Sequence, residues 1–92
     1  MKVSFTILIA DRNRHIRELL RREFEAAGYR VQLAKDGKQL LTAINSAEPL
    51  DLLILDLEIP YVNGVEIIKR LKDREPQVPV VIHTFFSRDV ES

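Results

Sequence analysis

Residues 52–55 read Leu-Leu-Ile-Leu, four apolar residues with no polar residue between them. A strand with one face in water alternates apolar and polar side chains, whereas a strand covered on both faces is apolar throughout. Covering both faces of a sheet takes helices on both sides, so the run predicts an interior strand of a parallel sheet over residues 52–56. This strand ends in Asp56, a residue that is costly to bury without a partner.

Three further segments have the composition of strands. Residues 4–10 and 80–84 are apolar and rich in β-branched residues. Residues 29–34 alternate strictly between apolar and polar side chains, a pattern typical of a half-buried strand at the edge of a sheet.

Between these strands, apolar residues recur at helical spacing, and residues typical of helix ends flank each group. Gly28 would end the first helix. Asp36 with Gln39 forms a capping pair for the second, and Asn63 begins the third. The predicted apolar stripes are Ile16, Leu19, Leu20, Phe24 and Ala27, then Leu40, Leu41 and Ile44, then Val65, Ile68 and Leu71.

The order of elements is therefore β-α-β-α-β-α-β, with Ser87 as the cap of a further short helix. Strands that alternate with helices predict an α/β fold with a doubly wound parallel sheet and right-handed crossovers. A chain of 92 residues makes one domain at most, so the whole of residues 1–92 is expected to form it.

Composition excludes several classes of function. The chain has 14 acidic and 14 basic residues, so no net charge draws it to nucleic acid or to an anionic membrane. It has no cysteine for a disulfide or a thiolate metal site, and Asp11 interrupts the first apolar run too early for a signal peptide. A cytoplasmic protein without direct nucleic-acid or membrane contacts is expected.

Polar residues end three of the four predicted strands: Asp11, Asp56 and Thr84. The carboxyl ends of parallel strands meet at one edge of the sheet, where doubly wound proteins bind their ligands. Two carboxylates at neighbouring strand ends repel each other, and a cation or a proton relieves that repulsion. Because Mg²⁺ favours a few hard oxygen ligands, the pattern predicts a magnesium site.

Three motifs resemble those of receiver domains of two-component response regulators, and the resemblance covers essentially the whole chain. They are Ile-Leu-Ile-Ala-Asp at residues 7–11, the block over residues 52–71, and Pro-Val-Val-Ile-His-Thr at residues 79–84. The resemblance implies the flavodoxin-like fold with strand order 2-1-3-4. It also implies two-component signal transduction, in which a histidine kinase or a phosphotransfer protein is the partner.

The same resemblance implies roles for individual residues. Asp56 is similar to the phosphoacceptor that takes a phosphoryl group from a phosphohistidine. Asp11 resembles an acid of the Mg²⁺ pocket, and Glu58 stands where a backbone carbonyl binds the metal. Thr84 resembles the hydroxyl residue that bonds the phosphoryl oxygens and switches the domain. Since kinase and receiver share the chemistry, the chain is not expected to be an enzyme in its own right.

Two departures from the family pattern qualify this interpretation. The family has a second acid after the first strand, and here that position is Arg12. The guanidinium either reaches Asp11 or Asp56 as a stand-in for the cation, or it points to solvent. With either placement, Mg²⁺ affinity is expected to be lower than in the family.

The second departure is the absence of the family's last helix-strand-helix unit, with its fifth-strand lysine. The exposed edge of the fourth strand then favours a truncated chain or a homodimer that covers it.

Two alternative functions remain. A pseudo-receiver keeps the fold as a protein-interaction or dimerisation module without cycling phosphate, and Arg12 favours it. A flavin-binding flavodoxin is a poorer match, because residues 10–15 lack a phosphate cradle. His15 and His83 are interpreted as packed or solvent-facing side chains rather than functional ones.

Overall fold

The computed structural model describes residues 5–74 and 77–83. Strands and helices alternate along them: β1 (Thr6–Ala10), α1 (Arg14–Ala26), β2 (Arg30–Ala34), α2 (Gly37–Asn45), β3 (Leu52–Leu55), α3 (Gly64–Lys72) and β4 (Val80–Ile82). The strands form one parallel sheet in the order β2-β1-β3-β4. The doubly wound class, the strand order and the edge position of the second strand are confirmed.

All four strands are shorter than predicted, since β1 begins at Thr6 and β4 ends at Ile82. At β2 and β3, local hydrogen bonds take over at one end of the strand. β2 begins after Tyr29, whose amide donates to the Phe24 carbonyl at the end of α1 over 3.1 Å. β3 ends before Asp56, whose Oδ1 accepts the Glu58 amide at 2.9 Å and closes a turn. The predicted end of β4 at Thr84 and the cap at Ser87 lie outside the described residues.

The apolar side chains lie on two faces of the sheet. We call them the α2/α3 face and the α1 face, after the helices that cover them. The α2/α3 face buries Leu8, Ala10, Leu53 and Leu55 of the strands against Leu40, Ile44, Ile67 and Leu71 of the helices. The α1 face buries Ile7, Ile9 and Ile54, and the partly buried Leu20 and Phe24 of α1 pack against them.

The helix ends follow the predicted residues. Gly28 follows α1 with a φ of 99°, a conformation that glycine adopts without strain. Asp36 Oδ1 accepts the Gln39 amide at 2.9 Å, and Asn63 caps α3. Gln39 returns its bond one residue earlier than a capping box requires, since its Oε1 accepts the Lys35 amide at 2.9 Å.

Two of the predicted apolar stripes were partly wrong. In α3, Val65 is 54% exposed, whereas Ile67 and Leu71 are buried. The buried line runs through positions four apart, so the stripe is rotated by one residue from the prediction. In α1, Leu19 is 45% exposed and Ala27 is the exposed C-cap. Fewer side chains of α1 therefore pack against the sheet than the predicted stripe contains.

The loop between β3 and α3 is attached to the start of α2. The Gly37 amide donates to the Pro60 carbonyl at 2.7 Å. A Cβ at Gly37 would lie 2.3 Å from Val62 Cγ1 and 2.9 Å from the Pro60 oxygen, so a side chain would push this loop away. The close approach fixes the loop that follows Asp56. Within residues 5–74 and 77–83, no helix has the length and apolar character to cross a bilayer.

Candidate functional site

Three polar residues continue one row across the sheet. The register pairs Ala10 with Leu55, and Leu55 with Ile82. The next residues, which directly follow β1, β3 and β4, therefore lie side by side: Asp11, Asp56 and His83. We call these three residues the polar row. Two backbone hydrogen bonds continue the sheet pairing into the polar row. The Asp56 amide donates to the Ala10 carbonyl and the His83 amide donates to the Leu55 carbonyl, both at 2.8 Å.

Asp56 lies at the centre of the polar row and is only 2% exposed. Its Oδ1 accepts the Glu58 amide at 2.9 Å, and its Oδ2 accepts the Arg12 amide at 3.3 Å. The Arg12 Nε lies 3.4 Å from the same Oδ2. Two amides and a guanidinium therefore fix the orientation of a buried carboxylate.

Arg12 reaches across the mouth of the site rather than pointing away from it. Its Nη1 donates to Glu58 Oε1 at 2.7 Å, so the guanidinium joins the Asp56 and Glu58 side chains. This bond with Glu58, followed by the negative charge of Asp56, raises the pKa of Arg12 above its usual value. Of the two placements expected for Arg12, the structure has the one in which it stands against the phosphoacceptor candidate.

Asp11 is the second buried carboxylate, 4% exposed. Its Oδ1 accepts the Asn13 amide at 2.8 Å, and its Oδ2 lies 3.6 Å from His83 Nε2. Burial raises the pKa of Asp11, and the negative charge of Asp56 raises it further, against the lowering effect of the Asn13 bond. The predicted repulsion between two carboxylates at neighbouring strand ends is thus present.

Comparison with known proteins decides the family. The model of the response regulator receiver domain matches residues 7–91. The chain belongs to this family. The receiver domain is 38% identical over 82 residues to the response regulator MprA of Mycobacterium tuberculosis, a match that covers 89% of this chain and 35% of that protein. The receiver domain thus spans about a third of the length of the curated relatives it matches.

Solved structures of the same family superpose on this receiver domain. The receiver domain of the Francisella response regulator 1452 is 28% identical with a TM-score of 0.79, over 94% of this chain and 70% of that one. TrrA of Thermotoga maritima, in complex with Mg²⁺ and BeF, is 30% identical with a TM-score of 0.78, and the match covers 90% of this chain and 71% of that one. A complex of TrrA with the histidine kinase ThkA matches at 29% identity and a TM-score of 0.77, and the match covers 96% of this chain and 75% of that one.

His83 is a member of the polar row that the sequence motifs did not identify as a site residue. Its Nε2 is buried and has no hydrogen-bond partner among residues 5–74 and 77–83, although 37% of the side chain is exposed. The imidazole of the receiver domain thus extends from β4 toward Asp11 on β1, past the strand that carries Asp56. Strand register was the signal that could have placed it, since His83 is the first residue after β4.

The predicted site residues come together in part. Asp11 and Asp56 lie at neighbouring strand ends and Arg12 joins Asp56 to Glu58, whereas Thr84 lies outside the described residues. In residues 5–74 and 77–83, no three His, Asp or Glu side chains are arranged to hold a metal ion. A metal here would therefore depend on two carboxylates, backbone oxygen and water, a donor set that Mg²⁺ accepts.

Proposed function

We propose that this receiver domain accepts a phosphoryl group on Asp56 from the phosphohistidine of a histidine kinase or a phosphotransfer protein. The observation that carries the proposal is the environment of Asp56. Its carboxylate is buried at a strand end beside Asp11, with both oxygens held by hydrogen bonds. A carboxylate fixed in this way is a preorganised nucleophile.

Asp56 would act by direct displacement. One of its oxygens forms a bond to phosphorus, the P–N bond to the donor imidazole breaks, and the electron pair leaves with the imidazole. The chain would serve as phosphoacceptor rather than as an enzyme with turnover of its own. Thr84, the residue after His83, is proposed to bond the phosphoryl oxygens and to carry the switch.

Mg²⁺ is proposed to bind beside the same carboxylates. Its protein ligands would be the Asp11 and Asp56 carboxylates and the Glu58 backbone carbonyl, with water at the remaining positions. The ion supplies positive charge for the carboxylates and the phosphoryl oxygens. Arg12 already places one positive charge 3.4 Å from Asp56 Oδ2, so we expect Mg²⁺ affinity to be lower than between two carboxylates alone.

Labelling with acetyl phosphate tests the acceptor. The chain is incubated with acetyl phosphate and Mg²⁺, and the phosphorylated residue is located by mass spectrometry. We expect labelling at Asp56 and its loss in Asp56→Asn. Asp51→Asn is the matched control, because Asp51 lies before the same strand and its Oδ2 accepts the Thr6 amide at 2.8 Å. Asp51→Asn should keep full labelling.

Two results would contradict the proposal. Equal labelling of Asp56→Asn and the unchanged chain would place the acceptor elsewhere. Absence of labelling in all variants, from acetyl phosphate and from phosphorylated kinase, would favour the pseudo-receiver alternative.

A further inference from the structure

We propose that the Arg12 guanidinium is the resident cation of this site, so that phosphorylation of Asp56 does not require the weakly bound Mg²⁺. The inference rests on the proposed phosphorylation of Asp56 and names the group that stabilises the transferred charge. It differs from the family expectation, in which an acid at this position helps to hold a metal.

The contacts of Arg12 place it where the charge develops. Its Nε lies 3.4 Å and its backbone N lies 3.3 Å from Asp56 Oδ2. A phosphoryl group attached to that oxygen would lie beside both donors. A guanidinium presents several N–H groups in one plane, a geometry that matches phosphate oxygens. Donors preorganised around a developing negative charge are the largest contribution in many phosphoryl and acyl transfers.

Glu58 keeps the guanidinium in this place before the donor arrives. The bond from Arg12 Nη1 to Glu58 Oε1 is 2.7 Å long, and the two side chains are 36% and 50% exposed. The pair is therefore at the open mouth of the site, whereas Asp56 is at its floor. Arg12 can exchange the Glu58 carboxylate for phosphoryl oxygens and keep its contact with Asp56 Oδ2.

The charges around Asp56 require such a cation. Asp11, Asp56 and Glu58 bring three carboxylates to the site, and the phosphoryl group adds further negative charge. His83 Nε2 faces Asp11 Oδ2 at 3.6 Å. Arg12 supplies a permanent positive charge on the Asp56 side, because a guanidinium stays protonated at all working pH values.

With acetyl phosphate as donor, the step balances without any further reactant. An Asp56 oxygen bonds to phosphorus, the bond between phosphorus and the acetyl oxygen breaks, and acetate leaves with the electron pair. The products are the aspartyl phosphate and acetate, and no proton has to be transferred. Arg12 only changes partners in this step.

The experiment measures the rate of labelling by acetyl phosphate in EDTA and in Mg²⁺. Unchanged chain in EDTA should react within about tenfold of its rate in Mg²⁺. Arg12→Gln should lose on the order of 100-fold in EDTA, the effect of removing one preorganised donor. Arg12→Asp, which restores the second acid, should react only with Mg²⁺, and Arg12→Lys should keep part of the metal-free rate.

Arg14→Gln is the matched control, because Arg14 is an exposed arginine two residues further along. Its rates should equal those of the unchanged chain in both conditions. Circular dichroism checks that each variant is folded. The proposal is overturned if the unchanged chain reacts only with Mg²⁺, or if folded Arg12→Gln reacts in EDTA as fast as the unchanged chain.

Beryllofluoride binding in EDTA, followed by ¹⁹F NMR, separates this inference from the proposed function. Binding that needs Arg12 and Asp56, without any labelling, would support Arg12 as the resident cation and would overturn phosphorylation of Asp56, with or without metal. Neither binding nor labelling in any condition would overturn both.

Discussion

The two faces of the sheet are buried to different extents. On the α2/α3 face, strand residues such as Leu8 and Leu55 are 0% exposed, and α2 and α3 both contribute buried residues. On the α1 face, α1 contributes none, although the strand residues Ile7 and Ile9 are buried.

The candidate site belongs to the face with the thinner cover. Side chains alternate along a strand, so Asp11 follows Ile7 and Ile9, and Asp56 follows Ile54. The same alternation places His83 after Val81. Both carboxylates are buried at this end of the α1 face, and the amide and guanidinium of Arg12 offset the cost of burying Asp56. The polar row therefore lies at the end of the face to which the covering helix contributes no buried residue.

The largest difference between the faces should be seen on truncating leucines. Leu8→Ala removes a fully buried side chain from the α2/α3 face and should cost about 2–5 kcal/mol of unfolding free energy. Leu20→Ala, on the partly buried line of α1, should cost about 1 kcal/mol. Urea unfolding of both variants measures the two losses, and equal losses would show that the α1 face is as important to stability as the other.

Two glycines extend the comparison to the loops. Gly37→Ala places a Cβ 2.3 Å from Val62 Cγ1 and should cost about 1–3 kcal/mol by overpacking. Gly28→Ala meets no atom within 4 Å, so only its φ of 99° opposes the change, at about 1 kcal/mol.

Val62→Ala distinguishes the two causes. Added to Gly37→Ala it should restore part of the lost unfolding free energy, because it removes the nearest atom. Added to Gly28→Ala it should restore nothing. Rescue of both variants, or of neither, would show that steric crowding is not the cause.

Most of the fold could be predicted because periodicity reports which residues a sheet must bury. The run at residues 52–55 and the caps Asp36 and Asn63 placed their elements correctly. The rotation of the α3 stripe could not be predicted, because Val65 and Ile67 are both apolar and only packing decides between them.

The site was predictable in the residues that end strands and not in the contacts between side chains. Asp11 and Asp56 follow their strands directly, so topology brings them together. The bond from Arg12 to Glu58 joins residues 46 apart in sequence, and two placements of Arg12 were equally consistent with the pattern. His83 has no motif of its own, and only the register of β4 places it in the polar row.

The buried Asp11 carboxylate at the end of the α1 face should lower the unfolding free energy of the chain at neutral pH. Burial, followed by the charge of Asp56, raises the pKa of Asp11 in the folded chain. Between the ordinary value and the raised one, the folded chain holds a proton that the unfolded chain has lost, so the unfolding free energy falls as pH rises through this window. Asp11→Asn removes this loss and still accepts the Asn13 amide.

The measurement is urea unfolding in EDTA across a pH series. At neutral pH, Asp11→Asn should have a higher unfolding free energy than the unchanged chain. The gain should be smaller than the loss expected for Gly37→Ala. The advantage should vanish below the unfolded pKa, where both forms are neutral. A variant less stable at neutral pH would show that the contact with His83 outweighs the cost of burial.

The smallest effect distinguishes two tyrosines, one on each side of the sheet. Tyr61 lies in the loop that closes the α2/α3 face, with a φ of 74° that a bulky side chain adopts only under strain. The Lys38 ammonium lies 5.5 Å from the centroid of its ring, a favourable contact that offsets part of this strain. Asn tolerates this backbone conformation, so Tyr61→Asn should raise the unfolding free energy by about 0.5 kcal/mol.

Tyr29→Asn on the α1 side should lower the unfolding free energy by about 1 kcal/mol, because Tyr29 packs edge-on against Phe5 and Phe24, with ring centroids 5.5 and 6.0 Å apart. Urea unfolding of the pair decides between backbone strain and ring packing as the property that matters, and a loss at Tyr61 would mean that its ring, like that of Tyr29, stabilises the fold.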